Sequence, residues 1–154
     1  MTAIDPATVP LDKPLYGATF GQAIKRFFAK YATFSGRASR SEYWWVALFI
    51  FLVFLVIWIP GLIIGLATGT PGYTSSGAPT TNPGPAFFAF VAVGVLFYLA
   101  VLIPGIAVTV RRLHDANFSG LLYLLSFIPS VGGLILLVFT VLESKPEGAR
   151  FDAS

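Results

Sequence analysis

Two long stretches of the chain carry no charged side chain. No Asp, Glu, Lys, Arg or His lies between Tyr43 and Val110, and none lies between Ala116 and Leu142. A helix needs about 20 apolar residues to cross a bilayer core of about 30 Å. The first stretch is long enough for two such helices and a loop, and the second is long enough for one. The pattern therefore predicts three apolar membrane segments, at about 43–64, 87–110 and 121–142.

The third segment has two interpretations. Pro129 and the pair Gly132-Gly133 interrupt its apolar run. As one continuous helix it would cross the bilayer once, whereas its two halves are each too short to cross alone. A re-entrant hairpin is therefore the alternative to a third span. The choice decides on which side of the membrane the C-terminal tail lies.

Residues 68–86 separate the first two segments. They consist almost entirely of Gly, Pro, Ser, Thr and Asn, and none of them is charged. This composition cannot form a packed core, so we expect a flexible external loop.

The chain before the spans changes character at Phe20. Residues 1–19 contain Pro6, Pro10 and Pro14 and predict an extended lead. Aromatic and apolar residues then recur at three- and four-residue steps, with basic residues between them, which predicts a short amphipathic helix. We expect this helix to lie in the headgroup plane of the membrane, with the following interfacial residues: Lys25, Arg26, Phe27, Phe28 and Lys30. The alternative is a helix packed on the protein's own spans.

Composition agrees with a membrane protein. The chain is 56% hydrophobic and 11% charged, with a mean hydropathy of +0.79, whereas an ordinary soluble domain carries about 25% charged residues. There is no cysteine and His114 is the single histidine, so we expect no metal and no cofactor. The net charge of +3 is modest, and its placement matters more than its size. We expect no nucleic-acid partner. The predicted fold class is all-α, an integral membrane domain over 20–152 followed by a tail end at 153–154.

Basic residues predict the orientation. Six Lys and Arg residues precede the first span, and residues 68–86 contain none. Because positively charged flanks stay in the cytoplasm, the N-terminus should be cytoplasmic and the 68–86 loop external. A bacterial cytoplasmic (inner) membrane protein with several spans is the expected localisation.

Two charged clusters should meet at the cytoplasmic face. The first comprises Arg37, Arg40 and Glu42, followed by Tyr43 and Trp44; the second comprises Arg111, Arg112, His114 and Asp115. Ser39 and Glu42 have the spacing of a helix capping box. Asp115 should pair with Arg111, Arg112 or one of Arg37 and Arg40, because an unpaired charge at a poorly hydrated interface is costly. If the first two spans are neighbours, Glu42 also comes within reach of an arginine of the second cluster.

These clusters predict a non-enzymatic role first. Arginines at the inner end of a span anchor topology and reach for lipid headgroups, and their forked donors suit phosphate. We therefore expect contact with membrane lipids, chiefly anionic headgroups, or with a protein partner, including a second copy of this chain. No catalytic residue is assigned. A His114–Asp115 general base in a lipid-modifying enzyme and a small transporter or channel subunit with helices broken at proline are the alternatives.

Two sequence blocks carry a family resemblance. F-S-G-R-A-S-R-S-E-Y-W-W at 34–45 and R-R-L-H-D-A-N-F-S-G at 111–120 resemble the signature blocks of the bacterial domain of unknown function 805 family. P-S-V-G-G-L at 129–134 and P-E-G-A-R-F-D at 146–152 fit that family's ending, although Ala149 stands where Asn is expected. The resemblance implies a small multi-pass inner-membrane protein and no established activity, so the clustered residues transfer as signature positions only.

Overall fold

The computed structural model of the protein describes residues 9–152. Residues 1–8 of the expected lead and the tail end at 153–154 lie outside the described residues. The described helices are α1 (Phe20–Ala29), α2 (Arg40–Ala67), α3 (Pro85–Asp115) and α4 (Gly132–Val141); 3-10 helices span Gly120–Phe127 and Pro146–Phe151. Strands β1 (Thr70–Tyr73) and β2 (Pro79–Asn82) form a hairpin.

The chain divides into two compact units. One contains the chain up to Phe49 and again from Leu102 onward, and the other is Ile50–Val101. Within residues 9–152, all the Asp, Glu, Lys and Arg residues fall in the first unit, and none falls in the second. We call the first unit the charged unit and the second the apolar unit.

The long helices α2 and α3 contain the first two predicted spans and extend beyond them at both ends. Pro60 and Pro104 lie inside the helices and do not end them. Within residues 9–152, these two helices are long and apolar enough to cross a membrane, and only 6% and 11% of their most apolar stretches are buried. Their exposed apolar side chains would be unfavourable in water, and a bilayer removes that cost.

The third apolar segment is not one continuous helix. Its first half is a 3-10 helix, Gly120–Phe127, and its second half is α4, which has 10 residues. Ser130 between them has a positive φ of 69°, and the two halves pack on each other. Pro129 has no N–H to donate and, together with the turn at Ser130, breaks the helix. The prediction of three spans is therefore not confirmed.

Residues 68–86 are more ordered than their composition suggests. Strand β1 pairs with β2 in an antiparallel register, from Thr70 opposite Asn82 to Tyr73 opposite Pro79. The turn between the strands is closed by Thr74, whose N–H donates to the carbonyl of Ala78 at 2.9 Å. The fold is thus mostly helical, with a small hairpin where an all-α fold with a flexible loop was expected.

Glycines bring the helices of the apolar unit together. A Cβ placed on Gly61 would lie 2.6 Å from the Cβ of Phe90, and one on Gly65 would lie 2.8 Å from the Cβ of Phe87. These positions face each other because a glycine leaves room for the aromatic side chain of the opposite helix. The spacing of Gly61 and Gly65 is the G-x-x-x-G pattern of closely packed membrane helices.

Candidate functional site

The charged unit holds two buried carboxylates, and each is the centre of its own cluster. We call them the Glu42 cluster and the Asp115 cluster. Glu42 is 4% exposed and Asp115 is 0% exposed. Burial of a charge is tolerated only where other charges and hydrogen bonds compensate for lost hydration. The hydrogen-bond and ion-pair partners of each carboxylate therefore show which parts of the chain the two sequence blocks hold together.

In the Glu42 cluster the carboxylate is fully engaged. Its Oε1 accepts a hydrogen bond from Nε of Arg26 at 2.6 Å. Its Oε2 accepts from the backbone N–H groups of Leu15 at 3.0 Å and Ser39 at 2.9 Å. The Ser39 hydroxyl in turn accepts from the N–H of Glu42 at 3.2 Å. The predicted capping box at the start of α2 is confirmed, and the same carboxylate also binds an arginine and the N-terminal lead.

Arg26 is the ion-pair partner of Glu42. The sequence offered an arginine of the 111–115 cluster for this role on the condition that the first two spans are neighbours, and the structure places Arg26 of α1 there instead. The other donors of Arg26 reach the carbonyls of Val9 at 3.1 Å, Pro10 at 3.2 Å and Lys13 at 2.5 Å. Proline has no N–H, so a proline-containing segment must find donors elsewhere for many of its carbonyls. Arg26 supplies them and folds the lead against α1.

The amphipathic helix is present, and its basic face is divided. A capping box of Thr19 and Gln22 starts α1. Arg26, Phe27 and Lys30 are buried within the protein, whereas Lys25 and Phe28 are exposed. The three buried side chains thus follow the alternative of packing on the protein itself. For Lys25 and Phe28, placement in the headgroup plane stays a prediction.

In the Asp115 cluster an acid on α3 joins distant parts of the chain. Oδ2 accepts from Nη1 of Arg112 at 2.6 Å and from the Ser144 hydroxyl. Oδ1 accepts from the Tyr16 hydroxyl at 3.0 Å and lies 3.8 Å from Nη1 of Arg37. The expected pairing of Asp115 with an arginine is confirmed. The pKa of Tyr16 is raised, first by burial and then by the Asp115 charge.

Arg37 and Arg112 connect that cluster to the C-terminal residues. Arg37 donates from Nε and Nη2 to the two oxygens of Asp152, at 2.7 and 2.8 Å, and this bidentate bond raises the pKa of Arg37. Arg112 donates from Nε to the Thr140 carbonyl at 3.0 Å and from Nη2 to that of Leu142. The two sequence blocks are therefore brought together, with the chain's end, around one acid.

Arg111 has a different role from its neighbour. It is 2% exposed, and its Nη1 donates to the carbonyls of Lys30 at 3.2 Å and of Thr33. These carbonyls follow the last turn of α1, where a positive charge compensates the negative end of the helix dipole. Among the described residues no carboxylate forms an ion pair with Arg111, and its Nε has no hydrogen-bond partner.

Lys30 is the least compensated cation of the charged unit. The residue is 3% exposed, and within residues 9–152 its Nζ has no hydrogen-bond partner. Burial lowers the pKa of Lys30 to about 8, against the opposing attraction of Glu42. Nothing in the sequence pattern distinguished Lys30 from the exposed Lys25, because both fall between the aromatic positions of α1.

His114 and Asp115 do not form a catalytic pair geometrically. Nδ1 of His114 lies 3.1 Å from the Gly36 carbonyl, and the ring stacks on Phe151 at 4.1 Å with planes 5° apart. Asp115 faces other partners. Gly36 itself has a φ of 79°, and a Cβ there would lie 2.5 Å from the Asp12 carbonyl oxygen, so the glycine of the first block is required for this close approach.

Arg40 is the exposed arginine of the four signature arginines. Its side chain is 48% exposed, and its Nη2 lies 3.9 Å from Oε1 of Glu143, whose side chain is 89% exposed. Two open recesses meet at Arg40. The first has a volume of about 360 Å³ and is mainly apolar; it is lined by Arg40, Ser41, Trp44, Trp45 and Leu48. The second has a volume of about 450 Å³ and is mainly polar; it is lined by Tyr16, Gly17, Ser39, Arg40, Ser41, Glu143 and Ser144.

The long, exposed apolar helices and the buried ionic clusters define a helical membrane protein. The chain belongs to a family of membrane proteins whose function is unknown: the model described as "Protein of unknown function (DUF805)" matches residues 31–153. This confirms the resemblance carried by the two sequence blocks.

Curated relatives agree with this membership. "Inner membrane protein YhaI" of Escherichia coli K12 is 36% identical over 121 residues, which cover 79% of this chain and 84% of YhaI. "Inner membrane protein YhaH" of the same organism is 32% identical over 121 residues, covering 79% of this chain and 85% of YhaH. No solved structure matches the chain. A bacterial inner-membrane location is supported by these relatives.

Proposed function

We propose that this chain is a non-enzymatic, multi-pass protein of the bacterial inner membrane that holds phospholipid headgroups at the cytoplasmic interface through Arg40. One observation carries the proposal. Of the four arginines in the two signature blocks, Arg37, Arg111 and Arg112 are bonded inside the protein and largely buried. Arg40 donates one hydrogen bond, to the Val141 carbonyl at 3.4 Å, and its side chain is exposed beside Trp44 and Trp45. Arginine suits the anionic phosphate of a lipid, and tryptophan favours the membrane–water interface.

The distribution of basic residues supports a cytoplasmic N-terminus, as predicted from the sequence. The contacts of the third segment favour a re-entrant hairpin. Its beginning, Gly120, lies against Val110 and His114, and its end, Leu142, accepts a hydrogen bond from Arg112. A segment that starts and ends beside the same turns of α3 leaves the C-terminal tail on the side of the N-terminus.

The orientation can be tested by cysteine labelling, since the chain contains no cysteine of its own. Ser75 in the hairpin turn, Ser35 before α2 and Glu147 near the tail are all exposed. An impermeant thiol reagent applied to intact cells should label Ser75→Cys and leave Ser35→Cys and Glu147→Cys unlabelled. Labelling of Ser35→Cys with protection of Ser75→Cys would reverse the orientation. Labelling of both Ser75→Cys and Glu147→Cys would establish a third span.

Lipid contact can be tested on the purified protein. Native mass spectrometry should find phospholipid retained by the wild type and lost about tenfold more readily by Arg40→Gln, because charge-assisted hydrogen bonds to phosphate would be removed. Arg150→Gln is the matched control, as Arg150 is exposed and lies outside the recesses. Equal lipid retention by Arg40→Gln and the wild type would refute the role of Arg40.

The exposed side of α1 is the second proposed contact with the interface. Lys25 and Phe28 both remain accessible there, which suits an anionic headgroup and the acyl boundary respectively. A fluorophore attached to Phe28→Cys should be quenched by lipids brominated near the headgroup. One attached to Ser35→Cys should be quenched less, and equal quenching would argue against an interfacial α1.

A further inference from the structure

We call the two neighbouring recesses at Arg40 the amphipathic trough. They share Arg40 and Ser41 in their linings, so the mainly apolar recess lies next to the mainly polar one. Trp44, Trp45 and Leu48 line the apolar part. The hydroxyl groups that line the polar part are bonded within the protein, those of Tyr16 and Ser144 to Asp115 and those of Ser39 and Ser41 to the Leu15 carbonyl. Arg40 and Glu143 are the charged residues of its lining. A ligand that fits both parts needs a polar head and a hydrocarbon chain.

The charges of the polar part are of both signs and remain accessible. Nη2 of Arg40 and Oε1 of Glu143 are 3.9 Å apart, which is too long for a hydrogen bond. Both side chains are largely exposed, unlike the buried ion pairs of the charged unit. Arg40 and Glu143 therefore each keep donors or acceptors for a ligand that carries charges of both signs.

We infer that this trough is a headgroup site for a zwitterionic aminophospholipid. The inference rests on the proposed lipid contact of Arg40 and adds the class of headgroup. The phosphodiester accepts hydrogen bonds from the guanidinium of Arg40, and the primary ammonium, a short linker away, donates to the carboxylate of Glu143. The first part of an acyl chain lies along Trp44 and Leu48.

Charge complementarity selects this occupant among membrane lipids. An anionic lipid without an ammonium, such as a phosphatidylglycerol, would satisfy Arg40 and leave Glu143 facing a second negative charge, which is unfavourable. A soluble phosphate compound would leave the apolar recess unfilled. Of these three ligands, the ethanolamine lipid is the one that matches the arginine, the acid and the apolar recess together.

The test compares two lipids with identical acyl chains on the delipidated full-length protein in a maltoside detergent. Native mass spectrometry measures the affinity for a phosphatidylethanolamine and for a phosphatidylglycerol. The wild type should prefer the ethanolamine lipid about threefold to fivefold, the size expected for an exposed ion pair. Glu143→Gln should abolish this preference, and the matched control Glu147→Gln, outside the trough, should keep it.

Each outcome separates the inference from the proposal beneath it. If the wild type binds both lipids equally, or if Glu143→Gln leaves the ratio unchanged, the headgroup assignment is overturned while lipid contact at Arg40 stands. If Arg40→Gln binds both lipids as the wild type does, the proposed function fails as well. Glycerophosphoethanolamine, which has the headgroup without chains, should bind at least tenfold more weakly than the intact lipid; equal binding would exclude a role for the apolar recess.

Discussion

The charged unit and the apolar unit solve opposite problems of solvation. Ile50–Val101 has no charged side chain, and its helices approach each other where Gly61 and Gly65 meet phenylalanine rings. The charged unit buries arginines and acids and pairs them, as in the contact of Arg112 with Asp115. Apolar surface gains little by leaving lipid, so close packing must hold the apolar unit. Buried charges are tolerated only when they are paired, because pairing compensates for their lost hydration. Ion pairs must therefore hold the charged unit together.

This contrast assigns different meanings to similar sequence features. An arginine near the end of a span usually indicates an anchor in the headgroups. Here Arg112 is 0% exposed and bonds to carbonyls and to an acid of its own chain. The signature blocks are therefore first of all a folding device, and Arg40 is the one of their four arginines that we propose for lipid contact.

The largest expected effect comes from breaking the Asp115 cluster. Asp115→Asn removes the charge that compensates Arg112, and a buried cation without its partner costs about 3–5 kcal/mol. We expect a clearly lower melting temperature of the detergent-solubilised protein by tryptophan fluorescence. Glu147→Gln is the control, because Glu147 is exposed and no ion pair is found for it in residues 9–152. Equal melting temperatures would mean that the cluster does not stabilise the charged unit.

The second effect concerns Lys30, a buried cation whose Nζ has no hydrogen-bond partner within residues 9–152. The pKa of Lys30 falls from 10.5 in its ordinary state to about 8. Between these pH values the unfolded chain binds more protons than the folded one, so the free energy of unfolding rises with pH. Below pH 8 the buried charge costs up to about 3 kcal/mol.

Lys30→Met should therefore be more stable than the wild type at pH 7, and this difference should shrink as the pH rises from 8 to 10.5. Thermal unfolding at a series of pH values measures it. Lys25→Met, at an exposed position of the same helix, should show no such trend. If the difference in stability between Lys30→Met and the wild type does not change with pH, the pKa of Lys30 is not lowered in the folded protein.

The third effect tests the packing of the apolar unit. Gly61→Ala places a methyl group 2.6 Å from the Cβ of Phe90, and such overpacking costs about 1–3 kcal/mol. Gly105→Ala is the matched control on α3, because nothing lies within 4 Å of its added methyl group. Alanine is the better helix former, so the control should be neutral or slightly stabilised. A stable Gly61→Ala protein would mean that the close approach is not needed.

Features with a local cause were predictable from the sequence. The long apolar runs gave α2 and α3, and the three-residue spacing of Ser39 and Glu42 gave the capping box. The break at Pro129 and the pair Gly132-Gly133 made the re-entrant alternative visible. Each of these depends on residues that are neighbours along the chain, so periodicity and local hydrogen bonding are sufficient to indicate them.

Features with a distant cause were not predictable. Arg26 and Lys25 are adjacent and chemically similar, yet one pairs with Glu42 and binds the lead, whereas the other is exposed. The carbonyls around which Arg26 folds belong to residues 9–13, and no pattern within α1 indicates them. The hairpin in residues 68–86 was missed for a related reason, since its pairing depends on register and not on hydrophobic content.

The smallest effect asks whether burial, rather than the motif, gives a polar contact its value. Two of the described helices, α1 and α2, begin with a capping box of the same form. At the start of α2, the Ser39 hydroxyl is buried and also donates to the Leu15 carbonyl at 2.6 Å. At the start of α1, the Thr19 hydroxyl is exposed and accepts only the N–H of Gln22, at 3.5 Å.

Replacing a capping hydroxyl by alanine costs about 0.5–2 kcal/mol, and an unsatisfied buried carbonyl adds to that cost. Ser39→Ala should therefore lie at the upper end of the range and Thr19→Ala at the lower end, both measured as shifts in melting temperature. Ser39→Thr, which restores the hydroxyl, should recover part of the loss. If the two alanine variants melt alike, the motif alone determines the stability, and burial of polar groups does not distinguish the charged unit from an ordinary helix end.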